Sequence, residues 1–164
     1  MKKLITDNNL LSFKDKQYIK KNILSNSLPW YHNEEAVKGD GYWFYSHILI
    51  QRIEHGGGEC SPHSRFFIDL FNKFCEKNNI KYNKIFRCCL NTNFPNEFKS
   101  IAHTDHSFDY KHLLIYLNNF TKGETILLKK DKKTIDHIIK PKTNMAVSFP
   151  KCWHIGTSPK KGRR

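Results

Sequence analysis

Beyond Lys84 the chain breaks into short apolar and β-branched runs, and this rhythm constrains the fold more than any other feature. The runs are residues 85–90, 112–117, 124–128, 137–139 and 145–149, and the links between them are rich in Asn, Asp, Lys, Pro and Gly. Short strands at close spacing, punctuated by turn residues, predict an antiparallel sandwich or barrel. Within 112–117, alternation places His112, Leu114 and Tyr116 on one face and Leu113, Ile115 and Leu117 on the other. The first half reads differently. Residues 3–6 suit a short strand, and a helix over 12–24 opens at Ser12, with Asp15 three positions on in a capping-box arrangement, and stops before Pro29. Gly39-Asp40-Gly41 is turn chemistry, 42–50 is a strand, and Gly56–Gly58 breaks the chain. Residues 64–78 read as an amphipathic helix with Phe66, Phe67, Leu70, Phe71 and Phe74 on its apolar side. The pattern predicts an α+β domain whose helices near 12–24 and 64–78 buttress a β core.

A length of 164 residues suits one domain with a sizeable core. A hydrophobic share of 38% with 13% aromatic residues excludes a disordered chain. The net charge of +13 favours anionic partners, nucleic acid among them. The excess is mostly Lys spread along the sequence, however, so nucleic acid is weighed and not favoured; the run 129–133 reads as a solvated hairpin tip. The 5 cysteines form no CxxC pair and are odd in number, which argues against a disulfide framework and for reduced thiols. The start MKKLITDNNL lacks the apolar run of a signal peptide, and no stretch is apolar enough to span a bilayer. A cytoplasmic protein with no membrane partner is the expectation.

The chemistry concentrates in His103-Thr104-Asp105 and in His154. In an extended segment residues i and i+2 share a face, so His103 and Asp105 can reach one point, and a third ligand from a later strand would complete a two-His-one-carboxylate set. That set, with positions left open, suits non-haem iron(II); structural zinc would want a closed shell, usually with Cys. Chance readily produces one HxD in a chain with 9 His, so on these residues alone an exposed polar loop stands beside the metal reading.

Downstream of His103 the chain runs LLIYLNNF (113–120), KGETILL (122–128), IIKPKTNMAVSFP (138–150) and CWHIGTSPKKGRR (152–164). This succession resembles the catalytic domain of the prolyl 4-hydroxylase-like branch of the iron(II)/2-oxoglutarate oxygenases, including its short phage and bacterial members. The likeness covers about residues 85–164. Lys122 replaces the first Gly of the usual GGET-type turn, and Asn144 stands where the second turn often has Gly. The resemblance implies one oxygenase domain over 1–164. Residues 1–84 would support a jelly-roll (double-stranded β-helix) core over 85–164. It implies His103, Asp105 and His154 as metal ligands. Arg164, ten positions after His154, and Tyr116 would hold the distal carboxylate of 2-oxoglutarate; a plain core aromatic is the alternative for Tyr116. The cofactors implied are Fe(II), 2-oxoglutarate and O2, with ascorbate binding as in the prolyl hydroxylases. The activity implied is hydroxylation of an aliphatic C–H in a prolyl or other protein side chain, a peptide or a free amino acid. Members of the family continue past the basic residue with a further apolar strand, so the core is expected to lack that strand or the chain to continue. A terminal Arg164 would be held loosely, since chain ends fray.

Two rival functions remain: a nucleobase-demethylating oxygenase, and a non-catalytic jelly-roll binding module. His55-Gly-Gly-Gly58 resembles an oxyanion-hole motif, but without a GxSxG elbow it reads as a glycine turn. His106 has the wrong parity to join the triad. Arg87 and Asn91 are weighed as pocket residues, Trp153 as packing, and residues 94–102 with 108–111 as a mobile substrate lip.

Overall fold

The computed structural model describes residues 4–164. In chain order these form β1 (Ile5–Asp7), α1 (Phe13–Tyr18), β2 (Tyr31–Asn33), β3 (Phe44–Ile50), α2 (Ser64–Lys77), β4 (Cys88–Thr92), β5 (Lys111–Ile115), β6 (Thr121–Lys122), β7 (Thr125–Leu128), β8 (Ile135–Ile139), β9 (Ala146–Pro150), β10 (His154–Gly156) and β11 (Pro159–Lys161). Each strand expected from the sequence is present within a few residues of its expected bounds; of the strand expected over 3–6, Lys3 lies outside the described residues. The short strands β2, β6, β10 and β11 had no alternating signal long enough to be read. No helix among the described residues is long and apolar enough to cross a membrane.

The described residues form two compact units, one of residues 10–31 and 46–91, the other of residues 4–9, 32–45 and 92–164. The first holds both helices. Ser12 caps α1 in a capping box: its hydroxyl accepts from Asp15 N–H at 3.2 Å while its own N–H donates to Asp15 Oδ2 at 2.8 Å. The helix expected over 12–24 is α-helical only to Tyr18, then widens to a π-helix over Ile19–Ile23. The Asn22 side-chain amide donates to the Tyr18 carbonyl at 3.0 Å, the acceptor an α-helix reserves for the Asn22 N–H. Bonding passes to the next register, with Leu24 N–H on the Ile19 carbonyl at 2.9 Å. On α2, Phe67, Leu70 and Phe74 are buried. Phe66 stacks on Tyr18 and Phe71 meets Tyr82 edge-on.

The second unit carries sheets ordered β1-β9-β5, β10-β7-β8 and β11-β6. Antiparallel pairing sets Leu114 opposite Val147 and His112 opposite Phe149, and Leu127 opposite both His154 and His137. Side chains of one parity from each larger sheet meet in one core: Val147 and Phe149 from β9, Leu127 and Ile139 from β7 and β8, with Tyr116, Met145 and Cys152 from the links. Burying each large apolar side chain contributes about 1.5–3 kcal/mol, so this cluster fixes how the sheets pack. Leu114 packs against the same cluster, the face that alternation assigned to it. The two substituted turn positions also follow from backbone: Lys122 has φ 63° and Asn144 φ 66°, the left-handed region where Gly is the usual occupant.

Candidate metal centre

Backbone pairing builds the centre. Isolated bridges join Lys99 to Thr157 and His103 to His154, so residues 99–103 run alongside β10. His103 N–H donates to the His154 carbonyl at 3.1 Å, and His154 N–H to the His103 carbonyl at 2.9 Å. The two imidazoles are thereby held with ring centroids 4.4 Å apart. Alternation brings Asp105 to the same side, with Oδ1 3.8 Å from His103 Nε2, and its N–H donates to the Tyr110 hydroxyl at 2.8 Å. Ligand atoms of His103, Asp105 and His154 all lie within 4.8 Å of one another, close enough for one cation to reach all three.

Hydrogen bonding sets the tautomers. His103 Nδ1 lies 2.8 Å from the Ile101 carbonyl, and His154 Nδ1 lies 3.2 Å from the Cys152 carbonyl. A carbonyl only accepts, so each Nδ1 carries a proton, and in the neutral ring this leaves the Nε2 lone pair for a metal, the usual way a ligating imidazole is oriented. Burial pushes His154 below the ordinary imidazole value of 6.5, against the opposing pull of the Asp105 carboxylate. The donors on offer are thus two imidazole nitrogens and one carboxylate, with no thiolate. This set fits Fe(II) and similar divalent ions, and does not close a structural zinc shell.

One neighbour was not read as functional. The His112 ring stacks on Phe149, with centroids 4.5 Å apart and planes at 25°, and stands edge-on to His154 at 5.2 Å. Its Nδ1 lies 3.4 Å from Asp105 Oδ2. Burial outweighs the Asp105 carboxylate and pushes His112 down to about 4, so the ring is neutral at physiological pH.

Arg164 and Tyr116 meet through Thr125. Arg164 Nη2 donates to Thr125 Oγ1 at 2.7 Å, and the Tyr116 hydroxyl lies 3.3 Å from that oxygen. Arg164 Nη1 donates to the Thr157 carbonyl at 3.1 Å and reaches the Tyr42 hydroxyl at 3.5 Å. Among the described residues no carboxylate side chain pairs with this guanidinium. Thr125 and Tyr42 were missed in the sequence. Thr125 follows from register, since it pairs with Gly156 on β10; Tyr42 is remote in sequence and carried no signal. The expectation of a loosely held Arg164 is corrected: its N–H donates to the Asn93 carbonyl at 2.9 Å and its carbonyl accepts from Asn93 N–H at 3.0 Å. Arg163 differs, its carbonyl accepting from Asn118 Nδ2 at 2.7 Å.

His106 stays outside the triad, stacked on Phe108 at 4.7 Å. Lys132 Nζ sits 4.0 Å from the Trp153 ring centroid, a packing role. Arg87 and Asn91 belong to the other unit, and Asn91 is exposed. Phe94, Phe98, Ile101 and Phe108, around the ligands in sequence, are large apolar side chains left exposed.

No family model and no curated protein sequence matches the chain. Among solved structures it is similar to a crystal structure described as an oxidoreductase of the 2OG-Fe(II) oxygenase family from Burkholderia pseudomallei. The TM-score is 0.75 at 14% identity, over 98% of this chain and 81% of that one. The chain therefore has the fold of that oxygenase, mostly β-sheet with few helices.

Proposed function

We propose that the protein is an iron(II)- and 2-oxoglutarate-dependent oxygenase with a jelly-roll core, hydroxylating an aliphatic C–H of a prolyl or other protein side chain or of an amino acid. The observation that supports this reading is that the His103–Asp105–His154 group and the Arg164 guanidinium lie along one strand. His154 opens β10, and Gly156, two residues on, lies against the Arg164 guanidinium: a Cβ there would meet Nη1 at 3.4 Å. Two residues of strand advance roughly 7 Å, on one face. A short 2-oxo diacid suits that span, one end at the metal and the other on Arg164, Tyr116 and Thr125.

In this reading His103, Asp105 and His154 hold Fe(II) and leave its remaining positions open. When bound, Fe(II) supplies the redox chemistry that couples O2 and decarboxylation of 2-oxoglutarate to C–H hydroxylation. Arg164 offers a planar fork that matches a carboxylate, and the Tyr116, Thr125 and Tyr42 hydroxyls supply further bonds. The exposed side chains of Phe94, Phe98, Ile101 and Phe108 would form the substrate lip. No disulfide joins the five cysteines among the described residues, in keeping with a cytoplasmic protein.

Anaerobic addition of Fe(II) and 2-oxoglutarate tests the reading. A visible metal-to-ligand charge-transfer band is expected, followed by succinate formation once O2 is admitted. A protein that binds neither component, or gives no band with both, refutes it.

A further inference from the structure

His112 is a second imidazole pressed against the triad that the ligand set does not use. Its ring is fixed by Phe149 and His154, and by Tyr110 with centroids 4.8 Å apart, and its side chain is only 10% exposed. Nδ1 faces Asp105 Oδ2 at 3.4 Å, while Asp105 Oδ1 is the oxygen turned toward His103 Nε2. A neutral imidazole carries one proton. At 3.4 Å a proton on Nδ1 would face a carboxylate oxygen in a long electrostatic contact, whereas on Nε2 it would leave two lone pairs opposed there, so the Nδ1–H form is favoured. Nε2 is then a buried acceptor, and it has no hydrogen-bond partner. An unpartnered buried nitrogen costs stability, and an apolar ring stacked on Phe149 would not incur it. The imidazole is a poor choice for packing, and what it adds over an apolar ring is the N–H toward Asp105.

We propose that His112 is a positioning residue for the metal centre: by holding Asp105 Oδ2 it keeps the carboxylate a one-oxygen ligand and presents Oδ1 to the cation. A carboxylate free to turn could offer both oxygens and occupy a position that the cosubstrate needs. The inference rests on the oxygenase reading insofar as that reading places a metal on His103, Asp105 and His154. It assigns His112 a role in ligand geometry and not in ligation, since its nitrogens fall outside the group whose donor atoms lie within 4.8 Å of one another.

Two substitutions separate the nitrogen from the ring. His112→Phe keeps the stack and removes the donor, whereas His112→Asn keeps an N–H donor and removes the ring. Calorimetric titration with Co(II) should give one site in the wild type, weakened roughly 10- to 100-fold in His112→Phe, the usual effect of removing a group that orients a metal ligand. His112→Asn should recover most of that affinity. The visible Co(II) spectrum should lose intensity in His112→Phe as the carboxylate adds a second oxygen, and should be wild-type-like in His112→Asn. Metal-free melting should rank the other way, with His112→Phe at least as stable as the wild type and His112→Asn less so. If the Phe ring proves too large to fold, His112→Leu replaces it as the nitrogen-free variant. Equal Co(II) affinity and spectra in wild type and nitrogen-free variant overturn the positioning role while the oxygenase reading stands. Affinity that follows the ring and not the donor overturns it as well. A wild type that binds no Co(II) overturns both.

Discussion

Single side chains at this centre have separable duties, and substitutions should separate them. His103→Ala or Asp105→Ala is expected to abolish Fe(II)-dependent succinate formation with little change in far-ultraviolet circular dichroism, because the backbone bridge that positions His103 does not need the ring. Turnover like wild type in both variants would end the ligand assignment. Arg164 and Arg163 provide the sharper contrast. The Arg164 guanidinium bonds Thr125 and Thr157, while the Arg163 contact described above is made by its backbone carbonyl. Removing one partner of a buried charged pair costs on the order of 2–5 kcal/mol. Arg164→Ala should therefore raise the 2-oxoglutarate requirement roughly 30-fold or more, at about 1.4 kcal/mol per factor of ten. Arg163→Ala should change it little, and the reverse order in a 2-oxoglutarate titration would shift the register by one. That His103, Asp105 and His154 come together was legible from parity and order along the chain. His112 was placed on the correct strand face, yet nothing local could tell that this face lies against Asp105.

Element by element, the sequence carried existence and type well and exact ends poorly. The capping box at Ser12 was legible because it is a local contract between two side chains and two N–H groups. The π-turn after Tyr18 was not, because it depends on which carbonyl Asn22 takes. Ser12→Ala should cost about 1 kcal/mol in urea unfolding. Asp15 adds a pH dependence. Burial alone would raise its carboxyl, but bonds from Ser12 and the Lys73 ammonium, 3.1 Å away, outweigh this and hold it below 3.8. Its contribution is fully present above 3.8 and is lost as pH falls through the lower folded value. The stability gap between wild type and Asp15→Asn should accordingly narrow between pH 6 and pH 3, and a constant gap would contradict this. Gly123 is the other sensitive point. It has φ 75°, and a Cβ there would meet Phe120 at 3.0 Å and Arg164 Cδ at 3.4 Å, so Gly123→Ala should both destabilise the turn and weaken 2-oxoglutarate binding.

For the whole molecule, the interleaving of 4–9 and 32–45 with 92–164 was beyond a reading that divides the chain at Lys84. It arises from pairings such as Ile5 with Ser148, which leave no local pattern. The same long-range assembly should make the candidate metal centre a stability device. Burial holds His154 below 6.5 and His112 at about 4, while unfolded imidazoles titrate near 6.5. Between those values the unfolded chain binds more protons than the folded one, so metal-free stability should fall as pH drops from about 6.5 toward 4. A bound divalent cation should reinforce the neutral form of His154. At a hundred times its dissociation constant it should add about 2.7 kcal/mol, or roughly 5–10 °C in melting temperature for a chain of this size, reversed by a chelator. Because ligation requires deprotonated imidazoles, the increment should shrink toward pH 5. Acid also raises a net charge already at +13, which destabilises any variant alike, so His103→Ala is the control. It should keep the acid slope and lose the metal increment at every pH. Melting temperatures that respond to metal equally in wild type and His103→Ala would place the cation elsewhere on the protein.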